Sequence, residues 1–129
     1  MKKIAIITGA SRGIGAATAL LAAERGYAVC VNYFRNRAAA DAVVHAIDCS
    51  GGKAIAVAAD VSVEADVLRL FESVDKELGP LTALVNNAGI LDRQMRVEDM
   101  SAARLNRVFA TNITGYFLCA REAIRRMST

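Results

Sequence analysis

Short β-branched runs alternate along the chain with longer stretches in which apolar residues recur every three or four positions. That alternation builds a parallel sheet with helices on its faces, because each strand must return through a helix before the next can pair in the same direction. The strands are predicted at Ile4 to Thr8, Ala28 to Asn32, Ala54 to Ala59 and Ala83 to Asn86. The first helix is predicted from about Ile14 to Arg25, with Ile14, Ala17, Leu20 and Leu21 on one side and Gly26 as its stop. The second covers Ala38 to Cys49, places Ala40, Val43, Val44 and Ile47 at i, i+3, i+4 and i+7, and ends at Gly51-Gly52.

Ser62 is placed to cap a third helix, whose first turn carries Glu64 and Asp66 where the helix dipole favours acids. Its buried face holds Val67, Leu68, Phe71, Val74 and Leu78, and Gly79-Pro80 ends it. A last long helix is predicted from Ser101 to Met127 with Leu105, Val108, Phe109, Ile113, Tyr116, Phe117, Ala120 and Ile124 on one broad face. Asn112 interrupts that face, and a buried amide without hydrogen-bond partners costs ~1–3 kcal/mol, so the residue needs a reason.

At 129 residues and 54% hydrophobic, the chain holds one domain, residues 1–129, with a real core. The 16 Lys and Arg against 13 Asp and Glu are dispersed, which argues against a nucleic-acid partner. Cys30, Cys49 and Cys119 are far apart and match no Cys/His ligand spacing, so free thiols and no metal site are expected, with His45 a surface or half-buried helical residue. Met1-Lys2-Lys3 followed by an apolar run resembles a signal peptide only briefly, since Gly9, Ser11, Arg12, Gly13 and Gly15 break the run. No segment reaches the ~18 apolar residues of a spanning helix. A cytoplasmic protein without membrane contact is expected.

Chemistry enters at Thr8-Gly9-Ala10-Ser11-Arg12-Gly13-Ile14-Gly15, a glycine-rich turn between the first strand and the first helix. Glycines let backbone approach a ligand where a Cβ would collide, and the helix that follows aims free N–H groups at a pyrophosphate. This turn, Asp60-Val61, Asn86-Asn87-Ala88-Gly89 and Asn112, in that order, resemble the short-chain dehydrogenases/reductases, and the resemblance covers Lys3 to Met127. It implies a Rossmann-type α/β domain with helices on both faces, strand order 3-2-1-4, and a nicotinamide dinucleotide cofactor. It also implies an oxidoreductase interconverting a small carbonyl compound and its alcohol. The family pattern makes Asp60 the carboxylate that meets the adenine amino group, with Val61 beside it. By the same pattern Asn87, Ala88 and Gly89 line the nucleotide, and Asn112 kinks the long helix and holds a water of the catalytic proton relay.

An NAD-selective domain carries an acid at the end of the second strand to bind the ribose 2′-hydroxyl. Here the segment reads Asn32-Tyr33-Phe34-Arg35-Asn36-Arg37, and the first acid is Asp41. Arg12 with Arg35 or Arg37 could hold a 2′-phosphate, so NADP is expected over NAD. Cofactor contacts are expected from Gly9, Ser11, Arg12, Gly13, Ile14 and Gly15 in the loop and from Asn32, Tyr33 and Arg35 after the second strand. The family's catalytic Ser and Tyr-x-x-x-Lys find no match: Tyr27, Tyr33 and Tyr116 are followed four residues on by Val31, Arg37 and Ala120, and Ser128 falls too early. The expectation is therefore a cofactor-binding half that stops before the fifth strand and is inactive alone. A stand-alone, non-catalytic dinucleotide-binding module is the alternative. The unprotected edge of strand four and the apolar face of the long helix point to a homo-oligomer.

Overall fold

The computed structural model describes residues 2–127; Met1, Thr129 and Ser128, the serine weighed above, lie outside the described residues. Four parallel strands, β1 (Lys3–Ile7), β2 (Tyr27–Tyr33), β3 (Ala54–Ala58) and β4 (Ala83–Val85), form one sheet in the order β3-β2-β1-β4. The register sets Ile4 beside Ala28, Val29 beside Ala54, and Ile6 between Cys30 and Leu84. Strand alternation divides the core into two layers. Ile4, Ile6, Cys30 and Val57 face one side of the sheet, and Ile7, Val29, Val31 and Tyr33 face the other.

The second layer is covered by α1 (Gly13–Glu24) and α2 (Arg37–Cys49). On α2 the expected stripe is buried at Ala40, Val43 and Ile47, with Val44 half-buried against it. On α1 the expected stripe is corrected. Ile14 is 80% exposed and Ala17, Leu20 and Leu21 are exposed as well, while Gly15 and Ala19 are buried. Apolar residues run all round this alanine-rich helix, so periodicity could not select a face. The smallest side chains face the sheet, because only they let the helix lie close behind the glycine turn.

The first layer is covered by α3 (Glu64–Glu77) and α5 (Gly115–Met127). In α3, Val67, Phe71 and Val74 are buried as expected, together with Leu78 just beyond it; Leu70 joins them and Leu68 is only half-buried. Ser62 does not cap this helix. Val63 occupies the cap position without a side-chain bond, and the Ser62 hydroxyl donates instead to Asp60 at 2.7 Å.

The predicted single long helix is three pieces: α4 (Ala102–Phe109), a π turn over Ala110–Thr114, and α5. The Ser101 side chain caps α4 by accepting from Arg104 N–H at 3.1 Å. Most of the predicted apolar stripe faces outward, with Val108, Tyr116 and Ala120 half-buried. Leu105, Phe109, Ile113, Phe117 and Ile124 are exposed, and α5 is docked through Gly115, Cys119, Glu122 and Ala123.

Glu122 is 3% exposed and caged by cations. Its carboxylate accepts from Arg126 at 3.0 Å and from Arg121 and Arg125 at 2.9 Å each. Arg126 continues to Asp75 of α3 at 2.8 Å and lies over the Phe71 ring, and Arg121 reaches Glu64 at the start of α3 at 2.8 Å. Burial alone would raise the Glu122 carboxyl pKa, but the bonds from Arg126 and Arg121 outweigh it and hold the group below its ordinary value. A carboxyl so depressed adds stability above its unfolded pKa and loses it as pH falls through the folded one. Melting temperature is therefore expected to fall as pH drops below about 4, the ordinary carboxylate range. Glu122→Gln should cost roughly 2–3 kcal/mol at neutral pH, less than a fully buried pair because Arg125 is largely exposed, and should flatten that acid limb. Thermal unfolding of both proteins across pH 3–7 checks this.

Candidate functional site

The carboxyl ends of β1 and β4 are joined by a compact weld. The buried Thr8 hydroxyl oxygen accepts from the N–H groups of Asn87 and Ala88, each at 2.9 Å. The Asn87 side-chain amide donates back to the carbonyls of Thr8 at 3.1 Å and Gly9 at 3.0 Å. On the other side of β1, Asn32 Oδ1 accepts from Gly9 N–H at 3.1 Å, while its amide nitrogen donates to the Val57 and Ala59 carbonyls at 3.2 Å each. The first turn of the glycine loop is thus held from β2, β3 and β4.

The three glycines do different work. A Cβ at Gly9 would stand 2.8 Å from Ala88 Cα, and one at Gly15 would stand 2.5 Å from both Asn87 Nδ2 and Gly9 O. Gly9 and Gly15 therefore make room for the protein itself. A Cβ at Gly13 would meet nothing within 4 Å, and its φ of +58° is what demands glycine there. Gly13 opens on the cleft.

That cleft, about 830 Å³, lies over the carboxyl ends of the strands. It brings together every expected cofactor residue except Gly15: Gly9, Ser11, Arg12, Gly13, Ile14, Asn32, Tyr33, Arg35, Asp60, Val61, Asn87, Ala88 and Gly89. Gly15 is buried behind the wall. Sequence reasoning missed Phe34, Asn36, Ala59, Ser62, Ile90, Arg107, Ala110 and Thr111, which also line it. The last three come from α4 and the π turn, and no motif announces them. Thr8, spent wholly within the weld, stood in the glycine motif and was readable there.

Asp60 closes β3 at the floor of the cleft. Its N–H donates to Asp66 Oδ2 at 2.9 Å, and its Oδ1 accepts from the Ser62 N–H at 3.0 Å and hydroxyl at 2.7 Å. Its second carboxylate oxygen makes none of these bonds. Arg12 and Arg35 line the cleft, with the Arg35 guanidinium stacked 4.6 Å over the Phe34 ring. Arg37 turns away to an exposed pair with Asp41 at 3.5 Å.

Asn112 sits in the π turn, outside the cleft lining, and uses both ends of its amide on one residue. Its Oδ1 accepts from Ile90 N–H and its Nδ2 donates to Ile90 C=O, both at 2.9 Å. A π turn runs through this residue and breaks the i→i−4 ladder, and the amide meets the loop that follows β4. One turn further on, a Cβ at Gly115 would lie 2.9 Å from the Val61 carbonyl oxygen. A glycine inside a helix signals such a close approach, and Gly115 is a positioning residue that sequence reasoning passed over.

The described residues hold no group of three His, Cys, Asp or Glu side chains arranged for a metal ion. All three cysteines are free. Cys30 is buried and its thiol pKa is raised, first by burial and then by Glu77; burial pushes Cys119 up to about 11. His45 is exposed, with Nε2 3.4 Å from Cys49 Sγ. No helix among the described residues is long and apolar enough to cross a membrane.

A sheet of order 3-2-1-4 with a glycine turn and a cleft at its switch point is a dinucleotide-binding Rossmann-type fold. The short chain dehydrogenase family profile matches residues 3–129, and the chain belongs to that family. It is 55% identical over 125 residues to the uncharacterized oxidoreductase YgfF of Escherichia coli, covering 97% of this chain and 51% of that protein. It is 43% identical over 129 residues to a 3-oxoacyl-[acyl-carrier-protein] reductase of Synechocystis, covering 97% and 50%. A solved dehydrogenase/reductase from Sinorhizobium meliloti superposes with a TM-score of 0.94 at 37% identity, covering 97% of this chain and 49% of that one. The chain spans about half the length of the curated relatives it matches.

The paired hydrogen bonds between Asn112 and Ile90 set up a direct test. Asn112→Leu removes both partners of the Ile90 peptide and is expected to cost about 1–3 kcal/mol. It should also speed hydrogen exchange at the Ile90 amide while leaving amides of β2 unchanged. Unaltered exchange at Ile90 would show that the amide does not hold the loop.

Proposed function

We propose that this chain binds a nicotinamide dinucleotide, NADP in preference to NAD, as the cofactor-binding part of an oxidoreductase that interconverts a carbonyl compound and its alcohol. The observation that carries this reading is the single cleft gathering the open Gly13 turn, the Asp60 carboxylate and two arginines at the switch point of the sheet. When bound, the dinucleotide supplies or accepts the hydride. The protein's part is to bind and orient it.

In this reading the N–H groups at the start of α1, approached over Gly13, take the pyrophosphate, where the helix dipole adds its attraction. The carboxylate oxygen that Asp60 leaves free accepts from the adenine amino group, and Val61 packs beside the ring. Asn87, Ala88 and Gly89 line the remaining length. Asn32 and Gly15 act through the loop's shape. Arg35 and Arg12 hold a 2′-phosphate by charge-assisted bonds, and Tyr33 occupies the position where an NAD-selective domain presents its acid. Asn112 sets the Ile90 wall and serves the proton relay. None of the three tyrosines has a lysine four positions on, so the tyrosine–lysine pair that such a relay would serve is not among this chain's residues.

NADP is expected to bind more tightly than NAD, and Arg35→Ala should weaken NADP about tenfold with little effect on NAD, as expected for one lost charge-assisted contact. Calorimetric titration of both cofactors on both proteins decides it; tighter NAD binding would reject the preference.

The same reading makes the protein a homo-oligomer. Leu105, Phe109, Ile113, Phe117 and Ile124 form an exposed apolar face along α4 and α5, of the kind that marks association surfaces. Sedimentation should show concentration-dependent association that Phe117→Glu abolishes. A wild-type monomer at high concentration would count against it.

A further inference from the structure

Beyond the dinucleotide cleft lies a second, smaller cavity of about 280 Å³, between the segment that follows β4 and helix α4. The two cavities share Arg107 as a wall, and Ile90, two residues before Asp92, lines the larger one. The segment between them is pinned from α4 and the π turn: Ile90 by Asn112, Asp92 by Arg107, and the Arg93 carbonyl by the Arg104 guanidinium at 2.6 Å. This is a built wall.

Its charge is unbalanced. Arg107 is matched by Asp92, whose carboxyl pKa lies below its ordinary value, first through the Arg93 N–H bond and then through Arg107. The Arg104 guanidinium hydrogen-bonds only to neutral atoms, the Arg93 carbonyl and the Met95 sulfur at 3.6 Å, which leaves most of its five N–H donors free, although its charge also favours the Asp92 carboxylate. Arg93 forms no ion pair among the described residues. Asp99 also lines the cavity and offsets one of the two cations. One net positive charge and a set of unspent planar donors remain.

We propose that this cavity is an anion-recognition subsite for the substrate, taking a carboxylate or phosphate carried on the carbonyl compound, with Arg93 and Arg104 as its donors. Guanidinium donors suit both anions because their planar fork matches paired oxygens. The volume is below the range that encloses a whole small molecule, roughly 300–1,000 Å³, so the cavity takes one end of a ligand whose remainder lies elsewhere. Position identifies the ligand. Arg12 and Arg35 serve the β2 side of the switch point, whereas this cavity lies on the β4 side, past Ala88 and Gly89. The assignment to a substrate rests on the dinucleotide reading above.

Inorganic phosphate and malonate are the probes, titrated calorimetrically into the protein saturated with NADP, with neutral malonamide as control. One saturable anion site is expected, and the tighter of the two anions tells phosphoryl from carboxylate recognition. Arg93→Gln and Arg104→Gln should each weaken it about tenfold, as for a lost charge-assisted contact, with NADP affinity unchanged. Arg93→Gln keeps the carbonyl that pins the wall, so its effect reads recognition and not loop order. Equal anion affinity in wild type and both variants, or no saturable site with NADP bound, would overturn the proposal. Failure of the dinucleotide reading is distinguishable: NADP itself would not bind, while the arginine variants would still report on the anion.

Discussion

The buried hydroxyl of Thr8 is the constraint on which the site depends. It accepts two N–H groups from the turn after β4, and the Asn87 amide answers with two bonds to the glycine loop. A parallel sheet leaves its strand ends with unpaired peptide groups, and burying them requires partners. Here the partners are each other, so loop and turn are fixed relative to one another before any ligand arrives. Gly9 and Gly15 follow from the same closeness, since a Cβ at either would strike the neighbouring turn or loop. The glycine motif therefore encodes a close contact inside the protein at two of its three positions and an open approach at the third.

A second set of contacts carries that order outward. The π turn lets Asn112 reach Ile90, and Gly115 lets the start of α5 lie against Val61. Ile90 and Val61 both line the cleft, and both are positioned by this stretch of chain. The caged Glu122 then fixes the far end of that helix to α3. Breaking such a cage leaves uncompensated charge under α5, so the geometry of the cleft wall is coupled to electrostatics at some distance from it.

Fold class and the glycine turn were legible from local signals, namely alternation, glycine stops and a turn between strand and helix. Strand order and the Asp60 and Asn87-to-Gly89 parts of the cleft came with the family resemblance, and eight of the 21 lining residues were not read. Helix orientation was legible only where apolar residues were few enough to define a face. It held for α2 and α3, where small and polar residues fill the outer side. It failed for α1, where every side is apolar and backbone proximity chose the small residues. It failed for α4 and α5, whose large apolar residues face outward while a glutamate is buried. Glu122 was not read as buried although Arg125 and Arg126 stand at i+3 and i+4 from it; that spacing shows the partners but not the packing against α3 that encloses the carboxylate. Ala110 and Thr111 were missed for a related reason: they lie in the π turn, and a one-residue change in helical phase is invisible to a periodicity of 3.6.

That phase change explains why the two cavities are neighbours. A continuous α-helix from Ser101 would carry the Asn112 amide round to a different bearing and could not leave Arg104, Arg107 and Asn112 all gripping one short segment. With the π turn in place, three successive ties meet Ile90, Asp92 and Arg93. The wall they hold has the larger cleft on one side and the arginine-lined cavity on the other. Arg107 of α4 lines both, and Arg104 is held beside the cleft by the Arg93 carbonyl of the same segment.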